Sequence, residues 1–195
     1  MSLDYQNDDE IILSADANQS DPCPPGRHPA ICVDVVSVGL EEAEFNGVIK
    51  QLPKVVIVWQ AFPEDGSRQL NESPFLPESK FTASMAPKSR LRPFLESWRG
   101  RDFSPEESKG FNLARLKGVA CWLTVEERIS NGFTNANVVA ADPYVDDAGN
   151  PLPPPKPEGY VRRDYTKKSQ TVTVQASTTA GQVVNGADKS DWVPF

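Results

Sequence analysis

PKSRLRPFLESWRG, residues 87–100, is where the period of this chain changes from strand-like to helical. Leu91, Leu95 and Trp98 recur at helical spacing, while Lys88, Arg92 and Arg99 fall on other faces. Pro87 suits the first helical turn and Gly100 suits the stop. Pro93 either lies in the first turn of a late-starting helix or bends the helix, because it lacks the backbone donor that a helix interior needs.

Outward from this helix the pattern is β. AICVDVVSVGL (30–40) is rich in β-branched residues and reads as a first strand, followed by a loop over GLEEAEFNGVIKQL (39–52). PKVVIVWQAF (53–62) is a second strand and SKFTASM (79–85) a third. Beyond the helix, GVACWLTVEER (118–128) and GFTNANVVAAD (132–142) are the fourth and fifth, with Asn131-Gly132 as a hairpin signal between them. The expected fold is therefore mostly β, five strands with one helix between strands three and four. That is the element order of the OB-fold, a partly open barrel that binds oligonucleotides or oligosaccharides. A small β-sandwich and an SH3-like barrel are the competing architectures, and the position of the helix favours the OB-fold.

The 195 residues suffice for one domain with flanking segments. Apolar content is 38% and mean hydropathy −0.45, so part of the chain is expected to stay unpacked. Residues 1–26 read as a disordered acidic arm, 27–142 as the domain, and 143–195 as a disordered tail opening with the proline-rich DPYVDDAGNPLPPPKPEGY. No apolar run is long enough to span a membrane, and the acidic start lacks the basic and apolar segments of a leader. Cys23, Cys32 and Cys121 are too few for a disulfide scaffold, which fits a reducing cytoplasm.

Charge is distributed unevenly. The net charge is −7. Residues 1–22 hold six acids and no base, whereas residues 80–118 hold nine bases against four acids. A basic segment in an acidic chain is either a polyanion site or an ordinary solvated face. Alternation puts Val119, Cys121, Leu123 and Val125 on one face of strand four and Trp122 on the other. It also turns Ala136, Val138 and Ala140 of strand five inward, and Val55, Ile57, Trp59 and Ala61 of strand two. Phe62, Trp122 and Phe133 then become exposed aromatics on which bases would stack, with Lys80, Lys88, Arg90, Arg92, Arg99 and Arg101 supplying phosphate contacts. The alternative is that these rings cover a barrel end or pack beneath the N-terminal arm.

No nucleophile elbow, P-loop, dinucleotide or zinc-protease motif occurs, and no enzymatic activity or cofactor is expected. Cys23, His28 and Cys32 are spaced only loosely like metal ligands, without the tight pair of a zinc ribbon, so no metal site is expected.

Two resemblances bear on function. Ala187-Asp188-Lys189-Ser190-Asp191-Trp192-Val193-Pro194-Phe195 resembles the C-terminal tip of bacterial single-stranded DNA-binding proteins. That likeness implies a partner-binding role for Asp188, Asp191, Trp192, Val193, Pro194 and Phe195. Lys80 to Ser84, the run from Lys88 through Arg101 to Phe103, and the later run from Phe111 through Cys121 to Asn135-Ala136 resemble phage-encoded single-stranded DNA-binding proteins. That likeness implies an OB-type domain that coats single-stranded DNA without sequence specificity during phage replication, recombination or repair. Its partners would be single-stranded DNA and replication, recombination or repair proteins, its location the host cytoplasm, and its state a monomer or dimer. The other function class is a protein-interaction module of similar fold that engages a host protein and touches no nucleic acid.

Overall fold

Two Asn-Gly dipeptides set the longest pairings of the sheet. The computed structural model describes residues 21–45, 47–130 and 132–165. Strands β1 (Gly26–Phe45) and β2 (Val48–Ala61) pair from Ala30↔Ala61 out to Phe45↔Val48. The stretch 39–52, expected as a loop, is thus a hairpin arm. Its turn signal is Asn46-Gly47: a two-residue connection suits the strand twist when its residues take positive φ, and Gly47 has φ 75°. At the second dipeptide Ser130 pairs with Phe133 and Gly132 has φ 79°.

The remaining elements are β3 (Glu78–Thr82), α1 (Leu91–Arg99), α2 (Pro105–Lys109), a 3₁₀ turn (Leu113–Leu116), β4 (Ala120–Ser130) and β5 (Phe133–Pro143). All five strands form one antiparallel sheet in the order β3-β2-β1-β4-β5. The mostly β architecture and the helix between the third and fourth strands are as the sequence predicts. β1 serves both halves of the sheet. Gly26–Ile31 pair with β4, and Ala30 onward pair with β2.

Burial follows the alternation on the inner face. Ile57, Trp59 and Ala61 of β2 meet Cys121, Leu123 and Val125 of β4 in one core, which Leu91, Leu95 and Trp98 of α1 cap. The helix starts at Leu91, so Pro93 lies in its first turn, where no donor is missed. Gly100 ends it at φ 68°, with a site for Cβ only 2.8 Å from Pro143 Cγ, so both backbone and space demand glycine there. Trp98 Nε1 donates to Ala120 O at 3.1 Å and ties the helix to β4.

Bulges shift two expected faces. The register slips between Thr124↔Ala140 and Val125↔Val138, so Ala141 rather than Ala140 is fully buried. Val119 lies before β4 and is 41% exposed, not part of the inner row.

The outer face of β2 is buried as well. Val56, Val58 and Gln60 are buried, and Gln60 and the nearby Asp34 are bonded to residues 158–162, which the sequence reading had assigned to a tail beginning at 143. Gln60 donates to Glu158 O at 2.9 Å and accepts from Glu158 N at 2.7 Å. Arg68 grips the Glu158 carboxylate through both guanidinium nitrogens. Farther along, Arg162 binds both oxygens of the buried Asp34 at 2.6 Å, joined by Lys117 at 2.6 Å and the Tyr160 hydroxyl at 3.3 Å. Tyr165 donates to Glu78 at 2.7 Å. Residues 158–165 are a strap held to the sheet by side chains.

Arg162 hydrogen bonding, then Lys117, holds the Asp34 carboxyl far below its usual range against the desolvation that opposes it. A carboxylate with a lowered folded-state value stabilises above its unfolded value of about 3.9 and loses that contribution as pH falls below it. Unfolding free energy from urea titration should hold steady down to pH 5 and fall progressively below about pH 4. At neutral pH, Arg162→Ala should lower unfolding free energy by about 1–3 kcal/mol in urea titration. An unchanged urea midpoint would show that the strap is not fastened through Asp34.

Candidate nucleic-acid interface

Ala30 and Ala61 face each other in the core, so alternation turns their neighbours Pro29 and Phe62 to the outer face. Phe62 N donates to Pro29 O at 2.8 Å, and Pro29 pairs with Trp122 on β4. Phe62, just past the end of β2, and Trp122 on β4, two of the three predicted aromatics, therefore flank Pro29 on β1 from opposite sides. Both are half-buried. Two residues that sequence reasoning missed extend the row. The Tyr144 ring lies 5.1 Å from that of Trp122, and the Arg27 guanidinium stands 4.7 Å over the Trp122 ring. Trp122 Nε1 donates to Val145 O at 2.9 Å, which leaves the ring oriented and its polar atom satisfied. An aromatic row crossing three strands beside an exposed arginine can stack flat rings and hold an anion next to them.

Phe133 is not part of this row. It lies at the tip of the β4–β5 hairpin, 57% exposed and eight residues along β4 from Trp122, or about 26 Å by strand rise.

The six predicted cations fall into separate groups. Lys80 lies on β3 and pairs with Glu41 at 2.7 Å. Arg90 donates to Ser79 Oγ at 2.8 Å and lies 4.8 Å over the Phe81 ring. Arg92 pairs with Glu96 at 2.9 Å within α1 and reaches Phe103 O at 3.3 Å. Arg99 and Arg101 share the Glu107 carboxylate at 2.8 and 2.9 Å. Lys88 is exposed and makes no side-chain bond among the described residues. Four of the six predicted cations, Lys80, Arg92, Arg99 and Arg101, are thus paired with carboxylates.

Glu107 has two tasks. It closes the capping box of α2, with Glu107 N on Ser104 Oγ and its carboxylate on Ser104 N, and it neutralises two arginines. Arg99 first, then the Ser104 amide and Arg101, holds its carboxyl down at about 2.

The loosely spaced thiols and histidine are placed differently from metal ligands. His28 Nε2 sits 2.8 Å from Pro24 O, and burial pushes Cys23 and Cys32 up to about 12. No group of three or more His, Cys, Asp or Glu among the described residues could hold a metal ion. No helix among them is long and apolar enough to cross a membrane. Asp188, Asp191, Trp192, Val193, Pro194 and Phe195 lie outside the described residues. No protein-family model matches this sequence, and no curated protein matches it either.

Glu107→Gln keeps the cap, because glutamine serves at that position of the box, while removing the charge that Arg99 and Arg101 share. The variant should keep its circular dichroism and leave a heparin column at higher salt. Elution at the parent's salt concentration would mean that these arginines do not form an accessible cationic surface.

Proposed function

We propose that this chain is a single-stranded DNA-binding protein with an OB-type domain. It coats single strands without sequence specificity during phage replication, recombination or repair, in the host cytoplasm, and is not an enzyme. The observation that carries the reading is the row Phe62, Pro29, Trp122, Tyr144 with Arg27 above it. A platform of this kind suits bases freed from their partners, since every base has a face to stack and a duplex hides it. The strand order supports the OB reading: β1 is shared by β2 and β4, the helix follows β3, and β3 and β5 are the two edges.

Arg27 takes the phosphate role nearest the rings, and Lys88 and Arg90 are the freest of the predicted cations. Tail residues Asp188, Asp191, Trp192, Val193, Pro194 and Phe195 are assigned the recruitment of replication or repair proteins, by their resemblance to the bacterial tip. A second reading, a protein-interaction module, draws on the pairing of Lys80, Arg92, Arg99 and Arg101 with carboxylates, which leaves less free charge for phosphates.

Fluorescence anisotropy with labelled oligo(dT) at rising salt separates the two. Phe62→Ala and Trp122→Ala should each weaken binding by roughly 1–3 kcal/mol at every salt concentration. Arg27→Ala should instead flatten the plot of log affinity against log salt by about 0.7 for one lost phosphate contact. Duplex competing as well as oligo(dT), or parental binding by all three variants, would overturn the reading. A chain lacking residues 187–195 should bind oligo(dT) at least as tightly as the parent while losing partner capture; weaker strand binding would argue that the tip belongs to the strand site.

A further inference from the structure

The basic segment holds a second feature that strand binding does not use. Behind α1, the side chains of Trp98, Phe103, Phe111 and Leu116 wall an apolar pocket of about 250 Å³, with Arg99 and Arg115 also lining it. The walls have structural causes. Trp98 is on the buried stripe of α1, and the 3₁₀ turn carries Leu116 inward while leaving Arg115 exposed. Phe103 and Phe111 meet edge to face at 4.9 Å, and the Arg99 guanidinium lies 4.2 Å over Phe103. Arg115 makes no side-chain bond among the described residues. An unpaired guanidinium beside an aromatic-walled recess is a site with a built-in charge preference.

We propose that this pocket binds an acidic peptide segment of a partner protein through one bulky apolar side chain, with a carboxylate of the same segment on Arg115. Charge complementarity selects the occupant. An apolar ligand without an anion would leave Arg115 unused, and a lone phosphate would leave the aromatic walls unfilled. The recess has room for a single ring or branched side chain, so affinity comes from one anchor and one ion pair, as in short-motif recognition. Residues 188–195 of this chain have that chemistry: aspartates, then Trp192-Val193-Pro194-Phe195. They provide the probe. This inference goes beyond the strand-binding reading and does not rest on it, because the pocket and the Phe62–Trp122 row are built from different residues.

The test uses the full chain carrying Trp192→Ala and Phe195→Ala, so that the added peptide is the one source of this chemistry, titrated into a labelled synthetic peptide DKSDWVPF with a free carboxyl terminus. Saturable binding is expected. It should weaken at least tenfold in the added presence of Arg115→Glu or Val119→Glu, both exposed positions lining the pocket, and stay unchanged with Arg128→Glu on the β4–β5 arm. Replacing the peptide's Trp and Phe by Ala should abolish binding. Absence of saturable binding, or equal weakening by Arg128→Glu, would overturn the proposal. So would Arg115→Glu and Val119→Glu weakening oligo(dT) binding while sparing the peptide, since the pocket would then serve nucleic acid. Loss of oligo(dT) binding in Phe62→Ala or Trp122→Ala bears only on the strand site, so the two readings fail separately.

Discussion

A single extra residue in β1 determines much of this structure. Cys32 points into the core, and in an unbroken strand Asp34, two residues on, would share its face and bury a charge among apolar side chains. The register shift between Cys32 and Asp34 turns the carboxylate to the outer face instead. There it gathers Arg162, Lys117 and Tyr160, and the strap is bonded to β1 through Asp34, to β2 through Gln60 and to β3 through Glu78. The same kink adds twist where β1 changes partners, from β4 on one side to β2 along the rest. A buried carboxylate with bidentate arginine is costly to form alone, and removal of Arg162 leaves that charge to Lys117, Tyr160 and the Val35 amide.

The helix, the inner rows and the five strands were legible because each is written in local period. Leu91, Leu95 and Trp98 repeat at helical spacing, Gly100 stops them, and Cys121, Leu123 and Val125 alternate. What was not legible depends on partners far away in the chain. The strap reads as linker because proline, glycine and charge dominate its composition, yet its bonds join residues separated by 87 to 128 positions. The β1–β2 arm was hidden differently. Glu41, Glu42 and Glu44 suggested a solvated loop, although the Asn46-Gly47 signal was the same one credited at 131–132. Bulges are a third blind spot, since one unpaired residue inverts every face assignment beyond it, as Ala140 and Ala141 illustrate.

Of the candidate site, the part that depends on alternation could be read and the part that depends on charge could not. Phe62 and Trp122 fall on one face because pairing fixes them there. The charge sum along residues 80–118 overstated the free charge, because Glu41 and Asp34, which lie outside the segment, close on Lys80 and Lys117, and the arginines of α1 are fixed by the glutamates beside them. Glu107 alone takes Arg99 and Arg101, and Glu96 takes Arg92. Tyr144 was missed since it sits in the stretch dismissed as tail, and Arg27 since it was assigned to the loop before the first strand.

The two binding surfaces differ in a way that constrains how they work together. The aromatic row is half-open and laid across the sheet, suited to a flat ring that slides on and off at little conformational cost. The pocket is recessed, walled by side chains from α1 and the 3₁₀ turn that are themselves part of the core cluster, and so is largely pre-formed. A nucleic acid at the row would be held by Arg27 beside half-buried rings and would weaken with salt, whereas a peptide at the pocket would lose to salt only its ion pair with Arg115 and keep the apolar burial of its anchor. If both proposals hold, ionic strength would separate the two surfaces: as salt rises, phosphate contacts at the row would loosen first, while an apolar anchor in the pocket would respond less.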